Sequence, residues 1–399
     1  MTNSTAPLKT DVTIVGAGLV GLAAAVALNQ AGYDVVLVDS QSPQSNDNPS
    51  DWDQRIYAIS PKNVQWLTSL GAWQLLDAGR IAEMQAMEIW GDATPEPLRL
   101  LAEDVNADSL GFIVEERALK NALLQRIQAS DVRTVWGQQC VALQTTVQQT
   151  VLQLENQQTI ESTLLLAADG ANSWVRQQLG VGVQQKPYHQ TAIVANFVTE
   201  KSHDNIARQW FTQDASGNCG ILAWLPLPEN KISIVWSAST QYAETLLKLN
   251  ADEFTQQVMA VGNSMLGKFD LMATPAAFPL VLKKANQAVK NSVVLVGDAA
   301  HRIHPMAGQG VNLGFRDVID LLEVLTARHK YQSLNDAALL KHYERVRKAD
   351  LLNMTTLTNG LYHLFNSQSA VVQKVRNWGL SASNNATIKR KLVASAIAL

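Results

Sequence analysis

The chain has 399 residues, enough for two domains, and a formal net charge of −3, which gives no overall attraction to nucleic acid. Hydrophobic residues make up 47% of the chain and charged residues 17%, proportions that exclude a disordered protein. The amino terminus lacks the apolar segment of a signal peptide, no run of residues is long enough to span a bilayer, and Cys140 and Cys219 show no paired spacing. These features predict a cytoplasmic globular protein without a disulfide framework.

The first element is an apolar, β-branched strand that leads directly into a glycine motif. Asp11–Val15 is expected to form a buried parallel strand, and residues 16–21 read Gly-Ala-Gly-Leu-Val-Gly. A helix is expected over residues 22–31 and a second strand over Val35–Val38. Because Asp39 follows that strand, the segment has all the parts of a dinucleotide-binding unit.

Four residues of this unit have expected roles toward a dinucleotide. Gly16 makes the tight turn after the strand, Gly18 admits the pyrophosphate, and Gly21 allows the helix to pack against the strand. Asp39 is expected to hold the ribose hydroxyls of the adenosine. The unit by itself does not distinguish NAD from FAD.

Two arginines then lie beside predicted helix starts. Arg55 precedes a helix with Ser60 as its N-cap and Pro61 at its first position. Arg117 lies in the first turn of another helix, directly after two glutamates. Those glutamates fit the positive end of the helix dipole, or they pair with Arg117. A surface salt bridge is likewise the alternative role for Arg55.

The middle of the chain changes in character. An apolar strand, Leu164–Ala168, ends at Asp169 and Gly170, which alone would be a turn signal. Beyond Tyr188, short alternating strands predict an antiparallel sheet, and no second glycine motif or phosphate loop predicts a separate nicotinamide domain. Four aromatic residues could line an apolar pocket, although core packing is the favoured interpretation for each of them: Trp210, Phe211, Trp224 and Trp236.

The carboxyl-terminal third holds the longest motif in the chain. An apolar strand over residues 293–296 is followed by Gly297 and by Asp298, at the strand end where ligands bind in open α/β sheets. A loop containing Pro305 and Gly308 then leads into a helix. The free N–H groups of Gly310, Val311 and Asn312 in its first turn would favour an anionic partner, such as the edge of a reduced flavin ring.

Residues 304–314, which read His-Pro-Met-Ala-Gly-Gln-Gly-Val-Asn-Leu-Gly, together with Asp317, resemble the signature of the ubiquinone-biosynthesis hydroxylase family. The family consists of FAD-dependent aromatic-ring monooxygenases built like p-hydroxybenzoate hydroxylase. The resemblance implies O₂ as cosubstrate, NADPH, NADH or a ferredoxin-type partner as electron source, and a flavin C4a-hydroperoxide as oxidant. The middle region looks most like the 2-octaprenylphenol hydroxylases, which act at ring carbon 5.

The resemblance also assigns residues to the cofactor, while no side chain is named as catalytic. Arg55 and Arg117 match arginines that lie against FAD in the family, and Asp169 matches an Asp-Gly motif associated with FAD and reduced nicotinamide. Asp39 stands where the family usually has Glu. The full set of expected cofactor-binding residues is Gly16, Gly18, Gly21, Asp39, Arg55, Arg117, Asp169, Gly297, Asp298, Pro305, Gly308, Gly310, Val311 and Asn312.

The expected fold is α/β, with a Rossmann-like FAD-binding domain, an inserted antiparallel β-sheet domain for the substrate and a carboxyl-terminal helical region. The expected boundaries are 1–75, 111–187 and 285–335 for the FAD-binding domain, 76–110 and 188–284 for the substrate domain, and 336–399 for the carboxyl-terminal helices. A basic and apolar tail could rest on the inner membrane, or it could dock on the protein with its basic face in solvent.

The partners expected from this assignment are a polyprenylated phenol and other proteins of ubiquinone synthesis. Two alternative functions remain open: a soluble aromatic-acid hydroxylase, and a non-catalytic FAD-bearing subunit of a lipid-biosynthesis complex. A metal site at His301 and His304 is not expected, because no cysteine or carboxylate cluster completes a coordination set in the sequence.

Overall fold

The computed structural model describes residues 6–43, 51–91, 96–214, 216–302 and 310–366, with the backbone alone over residues 353–366. Its helices are α1 (Leu19–Gln30), α2 (Pro61–Ser69), α3 (Glu116–Gln128), α4 (Trp174–Gln178), α5 (Thr240–Leu247), α6 (Ala251–Val261), α7 (Gly310–Thr326) and α8 (Ala337–Asn366). Its strands are β1 (Leu8–Val15), β2 (Val35–Asp39), β3 (Ile56–Ile59), β4 (Ala82–Met84), β5 (Ala86–Trp90), β6 (Leu98–Leu101), β7 (Gly111–Glu115), β8 (Arg133–Trp136), β9 (Cys140–Thr145), β10 (Thr150–Leu154), β11 (Thr159–Ala167), β12 (Val183–Thr199), β13 (Ile206–Gln213), β14 (Cys219–Leu227), β15 (Lys231–Ser239), β16 (Phe269–Leu271), β17 (Ala276–Ala285), β18 (Val289–Lys290), β19 (Val293–Leu295) and β20 (His301–Arg302).

The first sheet is built around parallel strands in the order β19, β11, β1, β2 and β8. In β1, Val12 lies opposite Leu164 of β11 on one side and Val35 of β2 on the other, and all three side chains are buried. Such apolar runs are typical of parallel strands that are covered on both faces. Because these strands are parallel, their carboxyl ends lie at one edge of the sheet.

Two predicted helix starts can be compared with the structure. The first helix begins at Leu19 and not at residue 22, because the extended backbone of Gly18 makes it the N-cap inside the glycine motif. The second begins at Pro61 with Ser60 at the N-cap, as expected, but the Ser60 side chain makes no capping hydrogen bond. The pattern therefore predicted the positions of these helices better than their local contacts.

The second sheet has the order β20, β17, β12, β15, β14, β13, β5 and β6, with β16 also paired to β12. Its pairs are antiparallel except for β13 and β5, which run parallel. The central strand β12 is longer than the predicted strand and has an irregular register between Pro187 and Gln190. A third sheet joins β3, β7 and β4. The predicted domain boundaries remain a prediction.

One face of the second sheet is covered by α5 and α6, and three of the four aromatic residues lie in this layer. Trp210, Trp224 and Trp236 are each less than a tenth exposed, which confirms the interpretation that they are core residues. Phe211 is only partly buried and, because side chains alternate along a strand, it points to the opposite face of β13. Within the described part of the chain, no helix combines the length and apolar character that crossing a membrane requires.

His203, beside the second sheet, is a buried histidine held in its neutral form. Its Nδ1 accepts a hydrogen bond from the Asn205 amide at 3.0 Å, so its Nε2 carries the proton donated to the Leu227 carbonyl at 2.7 Å. Burial lowers the pKa of the His203 ring below its ordinary value. A second proton would also place Nδ1–H against the Asn205 N–H donor.

A pH dependence of stability follows from this depressed pKa. Below about pH 6.5 the unfolded chain takes up the proton more readily than the folded chain, so the free energy of unfolding falls as the pH drops. We expect the loss of thermal stability between pH 7 and pH 5 to be smaller in a His203→Gln variant than in the native protein. His189→Gln, which removes an exposed ring, is the matched control. Equal pH profiles for native and His203→Gln proteins would contradict this expectation.

Candidate functional site

A cleft of about 760 Å³ opens at the carboxyl edge of the first sheet, beside the ends of β1, β2 and β11. The cleft lies where open α/β sheets bind their ligands. Six of the residues expected from the sequence to bind a cofactor line it together: Gly16, Gly18, Asp39, Arg55, Arg117 and Asp169.

Glycine is required for a different structural reason at each of the three motif positions. Gly16 has a φ of +103°, and a Cβ there would lie 2.5 Å from the Ala168 carbonyl oxygen. A Cβ on Gly21 would lie 1.9 Å from the Gly16 carbonyl oxygen, so Gly21 permits α1 to approach the turn. A Cβ on Gly18 would meet no atom within 4 Å among the residues with described positions. The space in front of Gly18, at the amino terminus of α1, is therefore open toward the cleft.

Asp39 at the end of β2 is bonded to the glycine loop. Its Oδ2 accepts a hydrogen bond from the Ala17 amide at 2.6 Å, and its Oδ1 accepts one from the Gln41 amide at 2.8 Å. Since a carboxylate offers about four acceptor positions, both oxygens keep capacity for a further donor. Asp39 can therefore hold the loop in place and still accept a ribose hydroxyl.

Arg55 lies at the mouth of the cleft in an ion pair. Its Nη1 is 3.2 Å from Oε2 of Glu116, and its side chain is 72% exposed. The glutamate raises the pKa of the Arg55 guanidinium, which therefore stays charged. The salt bridge considered as an alternative is present, while the cation also borders the cleft. The position is compatible with both interpretations.

Arg117 lies beside a partly buried ion pair, Glu115 with Arg80, that the sequence did not indicate. Its Nη2 lies 3.9 Å from Oε1 of Glu115, and it also bonds the Asp51 carbonyl. Glu115 is nearly fully buried, and its nearest charged partner is Arg80, whose Nε and Nη2 lie 2.6 Å and 2.8 Å from its two oxygens. Two parallel N–H···O bonds of this kind are strong and directional. Glu115 thus serves mainly as the partner of Arg80.

Asp53 connects the two candidate arginines. Its Oδ1 accepts a hydrogen bond from the Arg55 amide at 2.9 Å, and its Oδ2 accepts one from the Arg117 amide at 3.0 Å. The Asp53 amide donates to Glu115 Oε1 at 2.6 Å, and its carbonyl accepts from Nδ2 of Asn196 in β12 at 2.8 Å. A single acid therefore sets the distance between two arginines that lie 62 residues apart in the sequence.

Asp169 lies between the end of β11 and α4. Its Oδ2 accepts a hydrogen bond from the Val175 amide at 3.0 Å. Burial raises the pKa of the Asp169 carboxyl above its ordinary value, although hydrogen bonds from the following turn oppose that shift. Its Oδ1 is buried and has no hydrogen-bond partner within the described ranges. A buried acceptor of this kind is suited to a hydroxyl or amide donor on a ligand.

The residues expected around the flavin ring form a second group, outside the described lining of the cleft. Gly297 has a φ of +56° and follows β19, while Asp298 is exposed. A Cβ on Gly314 of α7 would lie 2.6 Å from Cγ2 of Val20, and Val20 also faces Gly297. Helix α7 and the Gly297 turn thus pack directly on α1, behind the glycine motif. Helix α7 begins at Gly310, where a Cβ would meet no atom of the described residues within 4 Å.

Asn312, expected to offer its backbone amide, has a further use for its buried side chain. Its Oδ1 accepts hydrogen bonds from the Ser60 amide at 3.0 Å and from Asn63 Nδ2 at 2.8 Å, and its Nδ2 donates to the Ala58 carbonyl at 2.7 Å. The side chain therefore ties the start of α7 to the junction of β3 and α2. Val311 beside it is buried as well. Two expected residues, Pro305 and Gly308, lie outside the described residues.

His301, where no metal site is expected, is bonded to a carboxylate. Its Nε2 lies 2.7 Å from Oδ2 of Asp317, and both side chains are buried. His304 lies outside the described residues. Among the residues with described positions, no group of three or more histidine, cysteine, aspartate or glutamate side chains is arranged to hold a metal ion.

The cleft fits the adenosine diphosphate portion of FAD on three counts. Gly18 leaves room at the amino terminus of α1, where free N–H groups favour phosphate oxygens. Two arginines border the same space, and Asp169 keeps a buried oxygen without a described partner. These residues can bind a diphosphate and the hydroxyls beside it.

Comparison with known proteins decides the family. The model of the family described as "FAD binding domain" matches residues 9–357. The 3-demethoxyubiquinol 3-hydroxylase of Escherichia coli strain K12 is 35% identical to this chain over 394 residues, which cover 98% of this chain and 99% of that protein. This chain belongs to the FAD-dependent ubiquinone-biosynthesis hydroxylases. The hydroxylase is an FAD-dependent monooxygenase, with O₂ and a reduced nicotinamide as its cosubstrates.

Two further comparisons agree with this assignment. The ubiquinone hydroxylase UbiL of Rhodospirillum rubrum is 33% identical over 374 residues, covering 93% of the hydroxylase and 85% of UbiL. The solved structure of p-nitrophenol 4-monooxygenase PnpA from Pseudomonas putida DLL-E4 has a TM-score of 0.77 at 17% identity and covers 98% of both chains, which shows a shared fold. The relatives' names favour the quinone pathway over the two alternative functions.

Proposed function

We propose that the hydroxylase inserts one oxygen atom into the ring of a polyprenylated phenol on the route to ubiquinone. The observation that carries this proposal is the 35% identity, along nearly the whole of both chains, to a ubiquinone-pathway hydroxylase. The resemblance of the middle region favours a 2-polyprenylphenol and ring carbon 5. The name of the Escherichia coli relative favours a second candidate, a later intermediate that is hydroxylated at ring carbon 3.

We infer that the cofactor lies across the two groups of residues described above. Asp39 would hold the adenosine ribose, the Gly16–Gly21 motif would face the pyrophosphate, and Arg55 and Arg117 would balance its charge. The carboxyl group of Asp298 and the first turn of α7 would hold the part nearer the ring. The bound flavin supplies the activation of O₂, which no ordinary side chain provides.

An apolar surface next to α7 supports a prenylated substrate. On the second sheet, Val235, Phe278 and Leu282 form a cluster on the face opposite the buried tryptophans. Leu282 also packs against Leu313 in the second turn of α7. These side chains would orient an apolar substrate and exclude water near the ring, which strengthens every polar interaction there. Contact with a membrane through the tail remains a prediction, since residues 367–399 lie outside the described residues.

The test is mass spectrometry of prenylated lipids in the source organism after deletion of the gene. If the enzyme acts at carbon 5, we expect ubiquinone to be lost and a prenylphenol that lacks the first added hydroxyl group to accumulate. Accumulation of a methylated or methoxylated intermediate would select the later ring position. Expression of the native chain in the deletion strain is the control and should restore ubiquinone. An unchanged lipid profile, with no second hydroxylase present, would overturn the quinone assignment.

A further inference from the structure

Asp317 of α7 is a fully buried carboxylate on which three donors converge. Its Oδ2 accepts hydrogen bonds from the Gly297 amide and from His301 Nε2, each at 2.7 Å. Its Oδ1 accepts one from Nε of Arg347 in α8, also at 2.7 Å. Although burial alone would raise it, the pKa of Asp317 lies below its ordinary value because His301, Arg347 and the Gly297 amide all favour the charged form.

The contact with Gly297 is the one that reaches the candidate site. Gly297 has a left-handed φ of +56° and lies directly before Asp298, at the end of β19. Its amide donates to a side chain 20 residues further along the chain. The Asp317 carboxylate therefore fixes the direction of the Gly297 peptide, and with it the turn that presents Asp298.

The far side of Asp317 is anchored in a second layer of charge. Nη1 of Arg347 lies 2.6 Å from Asp320 Oδ2 and 2.7 Å from Asp350 Oδ2, and the Arg347 side chain is buried. Nη2 of Arg316 lies 3.3 Å from Asp350 as well. The Arg347–Asp317 contact is buried on both sides, so breaking it would leave an uncompensated buried charge. The carboxylate that holds Gly297 is thus itself held by α8.

We propose that Asp317 is a positioning residue of the hydroxylase, which fixes the Gly297 turn against the flavin and links that turn to α8. The inference rests on the proposed placement of the flavin beside Gly297. An amide cannot replace this carboxylate: all three partners donate, so in either orientation the NH₂ group of an asparagine faces a donor. Replacing one carboxylate oxygen of Asp317 by an NH₂ group should therefore change the binding of the cofactor.

The experiment compares Asp317→Asn with Asp320→Asn in the purified full-length protein. Asp320 bonds the same arginine and is partly exposed, but it contacts neither Gly297 nor His301 in the described structure. FAD affinity is measured by titrating the apoprotein and following flavin fluorescence. We expect Asp317→Asn to weaken FAD binding at least about tenfold and Asp320→Asn to change it by less than about twofold.

Two further readouts separate positioning from a loss of fold. The first is the visible circular dichroism of the flavin at saturating FAD, which should differ from that of the native protein in Asp317→Asn alone. The second is the melting temperature of each apoprotein. Native FAD affinity and a native flavin spectrum in Asp317→Asn would overturn the proposal. If the Gly18→Val variant described in the Discussion loses FAD while Asp317→Asn keeps it, the placement of FAD stands and only this inference fails.

An Asp317→Asn variant that does not fold leaves a direct measurement on the native protein. The Gly297 amide, bonded to a buried carboxylate, should exchange its hydrogen slowly both with and without FAD. Mass spectrometry with fragmentation that resolves single residues can follow this exchange. Fast exchange at Gly297 in the apoprotein would show that Asp317 does not fix the turn.

Discussion

Replacing Gly18 with valine should remove FAD from the hydroxylase while leaving the apoprotein folded. Gly18 has a φ of −73° and a ψ of 179°, an extended conformation that a β-branched residue adopts without strain. A Cβ there meets no atom of the described residues within 4 Å, so we expect the added methyl groups to enter the space assigned to the pyrophosphate. We expect the dissociation constant of FAD to rise by about a hundredfold or more, the equivalent of about 2.7 kcal/mol.

Two measurements check this expectation. The ratio of flavin to protein absorbance gives the FAD content after purification, and titration of the apoprotein gives the affinity. The melting temperature of the apoprotein should stay within about 2 °C of the native value, because valine at this N-cap is expected to cost only about 1 kcal/mol. Native FAD content in Gly18→Val would mean that the pyrophosphate does not lie in front of this residue.

The opposite pattern is expected for Gly21, three residues further along the same motif. An alanine Cβ would lie 1.9 Å from the Gly16 carbonyl oxygen and 3.2 Å from the Ala168 Cβ, so α1 must move away from the turn. Both obstacles are parts of the protein, and the first is backbone that cannot rotate aside. We expect Gly21→Ala to destabilise the apoprotein by about 3 kcal/mol, at the upper end of the usual cost of overpacking.

Thermal unfolding without FAD is the measurement, and the melting temperature should fall by about 3 to 4 °C. Gly18→Val is the matched control, since it adds more volume to the same motif without a clash against the described residues. An apoprotein of native stability in Gly21→Ala would show that α1 is packed less closely on the turn than the structure indicates. Together the two variants separate the glycine that serves the fold from the glycine that serves the ligand.

The sequence predicted the parts of the site whose reasons are local. The glycine motif, Asp39 and the start of α2 at Pro61 depend on neighbours within one strand–turn–helix unit, and short-range pattern determines such units. The strands of the first sheet could also be predicted from the sequence, because buried parallel strands are continuous apolar runs. The start of α1 was predicted less well. The helix begins at Leu19, inside the glycine motif, because Gly18 is its N-cap and a glycine-rich pattern does not indicate a helix.

The parts that the sequence did not predict depend on distant partners. Glu115 was interpreted as a helix-dipole residue or a partner of Arg117, and its main partner is Arg80, 35 residues away. In the sequence, Asp317 is only the final residue of a motif. Its carboxylate accepts hydrogen bonds from Gly297, 20 residues before it, and from Arg347, 30 residues after it. No local spacing encodes such pairs, since the tertiary fold brings them together. The parallel pairing of β5 with β13 was missed for the same reason.

Asp53 has a consequence for how the two ligands of the hydroxylase sense each other. Its amide is bonded to Glu115, its carbonyl to Asn196 in the middle of the second sheet, and its carboxylate to the amides of Arg55 and Arg117. This one peptide is therefore a joint between the sheet assigned to the substrate and the arginines assigned to the cofactor. If a bound phenol displaced β12, the hydrogen bonds of Asp53 would transmit that displacement to Arg55 and Arg117. Thermodynamic linkage then requires that the bound phenol change the affinity for the cofactor by the same factor as the bound cofactor changes the affinity for the phenol.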